Sequence, residues 1–197
     1  MITLGQLKTI IPFAGPRAAV FLDPLNAAMD EFGISTPRRV GMFLAQVGHE
    51  SGSLRYTCEI ASGAAYNGRK DLGNTCDAAF AIAAQYGALP GPFWRGRGLI
   101  QITGYNNYFA CSRDLYKDPM HLLHNPSALE LPGAAARSAA WFWWSNQLNN
   151  FADAGDFDGV SDVINRGHKT PAVGDANGYD DRASFYARAQ RVLGVAA

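Results

Sequence analysis

The residues Val40, Phe43, Leu44 and Val47 fall at i, i+3, i+4 and i+7, one apolar stripe of an amphipathic helix. Ser35-Thr36-Pro37 starts that helix with proline at its first position, and Ser51-Gly52 stops it. The same period recurs on both sides. It predicts a short helix over 3–11, with Thr3 as cap and Pro12 as terminator. A second is predicted over 16–32, broken at Asp23-Pro24 and closed by Gly33. Further helices are predicted over 77–87, 106–117, 133–149 and 157–165, and from about Asp180 to Leu193. Residues 53–75 hold Gly63, Asn67-Gly68, Asp71 and Gly73-Asn74, which predict loops and at most a small β-hairpin. The fold class is therefore mainly α. Two local features stand out against this pattern. Arg38 and Arg39 sit in a first helical turn, the wrong sign for the helix dipole. Trp141-Phe142-Trp143-Trp144 cannot all face one core, so most are assigned to the interior and the remainder to a cleft.

Composition narrows the function classes. The 197 residues suit one domain, or one domain in two lobes, with 48% apolar residues to fill a core. Residues 1–37 are its N-terminal helices. A formal net charge of zero lacks the basic footprint of a nucleic-acid binder. Three cysteines, Cys58, Cys76 and Cys111, are too few and odd for a disulfide framework and fit a reducing compartment. The N-terminus lacks the order of a signal peptide, and no run approaches the ~18 apolar residues of a membrane span. The expectation is a chain made soluble, not exported by its own sequence, not inserted in a membrane and monomeric. No metal or cofactor is expected. His121 and His124 are expected on a loop before Asn125-Pro126 and have no third ligand nearby, and His49-Glu50-Ser51-Gly52-Ser53 carries serine where a zinc-protease helix needs histidine.

The candidate chemistry lies at the end of the 37–50 helix. Glu50 falls on the edge of the apolar stripe, whereas His49 points away from it. A carboxyl on an apolar margin is partly desolvated, which favours its protonated form and suits a proton donor. Glu59 follows nine residues on. On one unbroken helix the two would stand on nearly opposite faces, about 13 Å apart along the axis. The stop at Ser51-Gly52 lets the chain fold back and present both to one cleft. Two carboxylates of unequal environment, separated by room for a water, suit single-displacement hydrolysis of a glycosidic bond. Further on, Phe93-Trp94-Arg95-Gly96-Arg97-Gly98 lets backbone approach a ligand closely. The aromatics, amides and hydroxyl that continue to Tyr108 suit a sugar.

These motifs in combination resemble glycoside hydrolase family 19, which holds plant-type chitinases and bacteriophage endolysins. They are His49-Glu50-Ser51-Gly52, Glu59 to Gly63, Tyr66-Asn67-Gly68-Arg69, Asp71 to Asn74, Gly96 to Gly104, Asn107-Tyr108, Ile164 to Gly167, and Asp181-Arg182 with Phe185-Tyr186. The resemblance covers about residues 38–194 and implies a lysozyme-like, two-lobed helical domain with the cleft between lobes. It implies Glu50 as general acid, Glu59 as general base and Thr103 as a holder of the attacking water. Gln101, Asn107 and Asn165 match sugar-contacting amides. Tyr66, Arg69 and Arg182 match cleft-lining or carboxylate-positioning residues. Arg97 or Arg182 is expected to keep Glu59 ionised. Residues 75–92 stand out as an insertion that would form a flap beside the cleft, and Arg166 stands where the family often has a second glycine.

The short Glu50–Glu59 spacing resembles the endolysin branch. That implies an inverting, lysozyme-type hydrolase of β-1,4 bonds in bacterial peptidoglycan. It would be held in the host cytoplasm until a membrane-opening holin partner admits it to the periplasm and cell wall. Two other readings stay open: a chitinase acting on chitin oligomers, and a non-catalytic wall-binding protein on the same fold.

Overall fold

Two glycines seven residues apart let side chains of one helix pack directly on the backbone of another. In the computed structural model, which describes residues 1–195, α3 spans Pro37–Glu50. A Cβ on Gly41 would stand 3.2 Å from the Ala189 side chain, and one on Gly48 would stand 3.1 Å from the Phe185 ring. Ala189 and Phe185 belong to the last helix, Tyr179–Leu193, whose contact with α3 is the most extensive between helices. Val40, Phe43, Leu44 and Val47 are buried as the stripe predicts, and so is the polar Gln46.

The other helices follow in order. They are α1 (Leu4–Ile10), α2 (Arg17–Glu31), α4 (Asp77–Gln85), α5 (Pro90–Phe93), α6 (Tyr105–Tyr116), α7 (His121–His124), α8 (Pro132–Ser145), α9 (Leu148–Asp153), α10 (Phe157–Arg166) and α11 (Tyr179–Leu193). Thr3 caps α1 in a reciprocal box with Gln6. Thr36 accepts a hydrogen bond from the Arg39 N–H at the start of α3. The arginines that oppose the α3 dipole are held from outside: the Arg39 Nε donates to Asp153 Oδ1 at 2.7 Å, tying α3 to α9.

The side chains form two cores. The larger joins α1, α2, α3, most of α8, and α9 to α11. The smaller gathers Trp94, Ile102, Tyr108, Leu122, Leu123 and Trp141 with Ala79, Ile82 and Ala83 of α4. Of the four consecutive aromatics, Trp141 and Trp143 are buried, Phe142 is half-buried and Trp144 is exposed. β structure among the described residues amounts to the isolated bridges Cys58–Arg97 and Arg97–Ile102.

Three local expectations change. The α2 helix runs unbroken through Pro24. The carbonyl that loses its partner belongs to Val20, a residue 54% exposed, where water can replace the lost N–H. The helix expected over 133–149 ends at Ser145, because Gln147 turns left-handed at φ 55° and Trp143 Nε1 donates to Asn149 Oδ1 at 2.8 Å. The segment between the histidines is one helical turn rather than a loop. It buries Leu122 and Leu123 and separates the imidazoles: His121 stacks on Tyr116, and His124 meets the Tyr86 hydroxyl.

Packing at Gly48 should be unforgiving. A Gly48→Val substitution drives two methyls against the buried Phe185. It is expected to cost about 2 kcal/mol, which lowers the thermal midpoint by roughly 4–8 °C. A melting curve followed by circular dichroism checks this.

Candidate active site

The last residue of α3 meets the first turn of α11. Arg182 is 1% exposed, and its Nη2 donates to Glu50 Oε1 at 2.5 Å. Its Nη1 donates to Gln46 Oε1 at 2.6 Å, and its Nε to the Asn177 carbonyl at 3.0 Å. Gln46 in turn donates to Ser161 Oγ at 3.1 Å. A guanidinium taken out of water is costly unless paired and fully hydrogen-bonded, and here three acceptors surround it. Glu50 keeps partial exposure, at 21% of its side chain, and its Oε2 is left uncommitted. The apolar margin expected around Glu50 is thus replaced by a cation. Next door, His49 Nδ1 meets Asp181 Oδ2 at 2.7 Å, outside the core stripe.

Glu59 stands on a loop rather than a helix. Its N–H donates to the Gly96 carbonyl at 2.9 Å, and the Tyr66 hydroxyl donates to its Oε2 at 3.0 Å. That contact and burial push the Tyr66 hydroxyl above its ordinary pKa, burial being the larger cause. Tyr66 is positioned by the buried Asn74, which donates to the Tyr66 carbonyl and accepts from the Tyr105 N–H. Glu59 Oε1 is buried and has no hydrogen-bond partner among the described residues, and the same holds for Gln101 Oε1. Both carboxylate and amide crowd one point. A Cβ on Gly96 would stand 2.9 Å from Glu59 Oε2 and 2.9 Å from Gln101 Oε1. Glycine at 96 therefore keeps a space open beside the base candidate.

Gln101 holds a left-handed backbone at φ 57°, uncommon for a non-glycine residue and a marker of imposed geometry. Its Nε2 donates to the Gly98 carbonyl at 2.8 Å, which turns Oε1 toward Gly96. Thr103 Oγ1 donates to the Gln101 carbonyl at 2.8 Å, so the hydroxyl oxygen has only lone pairs left to offer. Asn107 Nδ2 donates to the Thr103 carbonyl at 2.8 Å.

A groove of about 600 Å³ is lined among others by Arg69, Asp71, Leu72, Asn107, Ile164 and Asn165; neither Glu50 nor Glu59 is part of its lining. On one rim Asn107 donates to the Thr103 carbonyl and Thr103 to that of Gln101, the residue that meets Glu59 at Gly96. The other is tied to Glu50: Asn165 Oδ1 accepts from the Asn177 N–H at 3.0 Å, and Asn177 offers its carbonyl to Arg182. Arg69 lines the groove but pairs with Asp71, at 2.8 and 2.5 Å, rather than with a glutamate. None of residues 75–92 lines it.

The cations expected beside Glu59 are committed elsewhere. Arg97 donates to Glu130 Oε1 at 2.7 Å and to the Tyr108 hydroxyl at 3.2 Å. Arg182 is on Glu50. A neutral donor, Tyr66, takes the place at Glu59. Gln46 and Asn177 are not singled out by the sequence, and Asn74 is singled out there as a turn former and motif residue without its role under Tyr66. Gln46 did leave a signal, a polar residue one turn before Glu50 on an otherwise apolar face.

Comparison with known proteins bears on the family and the fold. The family model for chitinase class I matches residues 26–154, which include Glu50, Glu59, Tyr66, Arg69, Gln101, Thr103 and Asn107 but not Asn165 or Arg182. An endochitinase of Arabidopsis thaliana is 32% identical over 167 residues, 83% of this chain and 50% of that protein. Endochitinase 1 of Gossypium hirsutum is 31% identical over 183 residues, 80% of this chain and 54% of that protein. The chain thus spans about half the length of these curated relatives. Chitinase C from Streptomyces griseus superposes with a TM-score of 0.69 at 22% identity, over 98% of this chain and 76% of that one. A class IV chitinase from Zea mays gives 0.63 at 24% identity, over 88% and 79%. The architecture is therefore the lysozyme-like helical fold of these enzymes. None of these named relatives is a bacteriophage endolysin. By the family match over residues 26–154, the chain belongs to glycoside hydrolase family 19, chitinase class I.

Proposed function

We propose that the chain is an inverting glycoside hydrolase that cleaves β-1,4 bonds between N-acetylated glucosamine units, with chitin-type oligomers as substrate. The observation that carries this reading is a buried, unpartnered acceptor on each of two neighbouring side chains, Glu59 Oε1 and Gln101 Oε1, the carboxyl and amide groups meeting at Gly96 through Glu59 Oε2 and Gln101 Oε1. Buried polar atoms are nearly always satisfied, so this spot calls for a water or a substrate donor. In this reading Glu59 Oε1 accepts a hydrogen from the attacking water, and Thr103 Oγ1, whose own hydrogen is already used, is the second acceptor that holds it. Glu50 delivers a proton from Oε2 to the glycosidic oxygen, and the carboxylate that forms faces Arg182. One displacement inverts the anomeric centre. Gln101, Asn107 and Asn165 supply amides for the N-acetyl and hydroxyl groups. The endochitinase relatives support the choice of chitin.

A second reading keeps the same chemistry on the glycan strand of peptidoglycan. The nine-residue spacing of Glu50 and Glu59, as in the endolysin branch, favours it. Release from a host cytoplasm through a holin belongs to this reading.

The test is hydrolysis of an N-acetylglucosamine hexamer beside purified Gram-negative peptidoglycan. Early hexamer products in the inverted, α-anomeric form support the chitinase reading. Reduced muramic-acid or glucosamine ends from the wall alone favour the second reading. Anhydro ends, or binding without turnover, defeat single-displacement hydrolysis. Glu50→Gln should lose at least about 10²–10⁴ in kcat while its circular dichroism is unchanged.

Tyr66→Phe removes the one hydroxyl on Glu59 and keeps the ring. Losing a hydrogen bond to a charged group, about 1.5–3 kcal/mol, should lower kcat by roughly ten- to a hundredfold. Steady-state kinetics on the cleaved substrate checks it.

A further inference from the structure

The groove does not end at its amides. Asp114 and Trp141 line its far wall and also line a second hollow of about 350 Å³. These two residues form the ridge between the spaces. The ridge is held: Trp141 Nε1 donates to Asp114 Oδ2 at 3.0 Å, and Arg113 Nε to Asp114 Oδ1 at 2.8 Å. Beyond the ridge lie Trp144, Phe32, Glu31 and Lys117.

Trp144 is the unusual member. It stands one helical turn after Trp141 on α8, so the two project from neighbouring positions on one side, about 4.5 Å apart along the axis. It is 53% exposed, whereas Trp94, Trp141 and Trp143 are at most 5% exposed. Those three indole N–H groups donate to Leu123 O, Asp114 Oδ2 and Asn149 Oδ1. Among the described residues, the Trp144 N–H has no protein acceptor. The Phe32 ring, 6.1 Å away and tilted by 49°, braces the indole from one side. Such a ring offers a flat apolar face with a donor at its edge. Charged groups surround it. Glu31 is held by Arg137 at 2.6 and 2.7 Å, and Lys117 donates to the Asp114 carbonyl at 3.0 Å.

A β-linked glucosamine ring matches this arrangement. Its axial C–H groups make an apolar face for the indole, and its rim of hydroxyls and N-acetyl needs both donors and acceptors. We propose that the Trp144 hollow is a distal binding site for the same glycan strand. A strand leaving the groove crosses the Asp114–Trp141 ridge and stacks a further sugar on Trp144. Continuity of the two spaces through shared residues commits the hollow to that occupant. This site extends the hydrolase reading above and rests on it.

The test compares Trp144→Ala and Trp144→Phe with wild type on N-acetylglucosamine tetramer and octamer, or on peptidoglycan strands of matched lengths if the wall is what wild type cleaves. Trp144→Ala should raise KM for the long substrate by roughly tenfold and leave kcat and all short-substrate constants unchanged. Trp144→Phe should retain most of the wild-type KM. Binding is read independently on Glu50→Gln protein: long strands perturb tryptophan fluorescence, and adding Trp144→Ala removes that signal. Long-substrate KM within twofold of wild type, or an equal loss on short and long substrates, overturns the distal site while the hydrolase reading stands. A wild-type chain that neither binds nor cleaves any strand overturns both.

Discussion

A single buried guanidinium organises the acid side of this protein. Arg182 is nearly inaccessible to solvent, so each of its donor directions must end on an acceptor. Those acceptors come from two parts of the chain: Gln46 and Glu50 on α3, and the Asn177 carbonyl in the loop before α11. They converge only because Gly41 and Gly48 let α3 and α11 approach closely. Close helix packing, the position of the Glu50 carboxyl and the course of the loop that carries Asn177 are therefore one constraint seen at three scales. The constraint reaches the groove through Asn177, whose N–H fixes the side chain of Asn165.

The base side is built on the opposite plan. Glu59 belongs to no helix and faces no cation. It is held by a backbone bond to Gly96 and by a tyrosine hydroxyl on Oε2, where Gly96 leaves room for the carboxylate, while Oε1 stays unpartnered among the described residues. The asymmetry has a chemical sense. A proton donor becomes an anion during reaction, and a cation fixed beside it stabilises that product without reorganisation. A base must keep a lone pair available to water, and a tight ion pair would occupy it.

Much of this was legible in the sequence. The 3.6-residue period located most helices, and the apolar stripe of α3 delivered Glu50 to its C-terminal end. The helix stop at Ser51-Gly52 explained why Glu59 need not lie on the far side. What escaped the sequence was non-local. Pro24 breaks a helix on paper, but Val20 is exposed and water satisfies the freed carbonyl. Asn146-Gln147 does not look like a helix end until the Trp143 indole finds its acceptor in Asn149. Which glutamate receives which arginine depends on how α11 returns across α3, and no local spacing encodes that.

The run Trp141 to Trp144 shows how one sequence feature divides between fold and function. A helix turns by about 100° per residue, so four consecutive aromatics sample most of its circumference. Trp143 goes to the larger core and meets Phe43 edge-on at 5.6 Å; Trp141 goes to the smaller core and holds Asp114. Phe142 touches both cores and the groove. The α8 helix is thus shared by both cores, and Trp141 and Phe142 also line the groove. Trp144 is the one ring of the four that belongs to neither core. Burying an indole is worth several times the free energy of burying a methylene, so its exposure beside a sugar-sized hollow is better explained by a ligand than by packing.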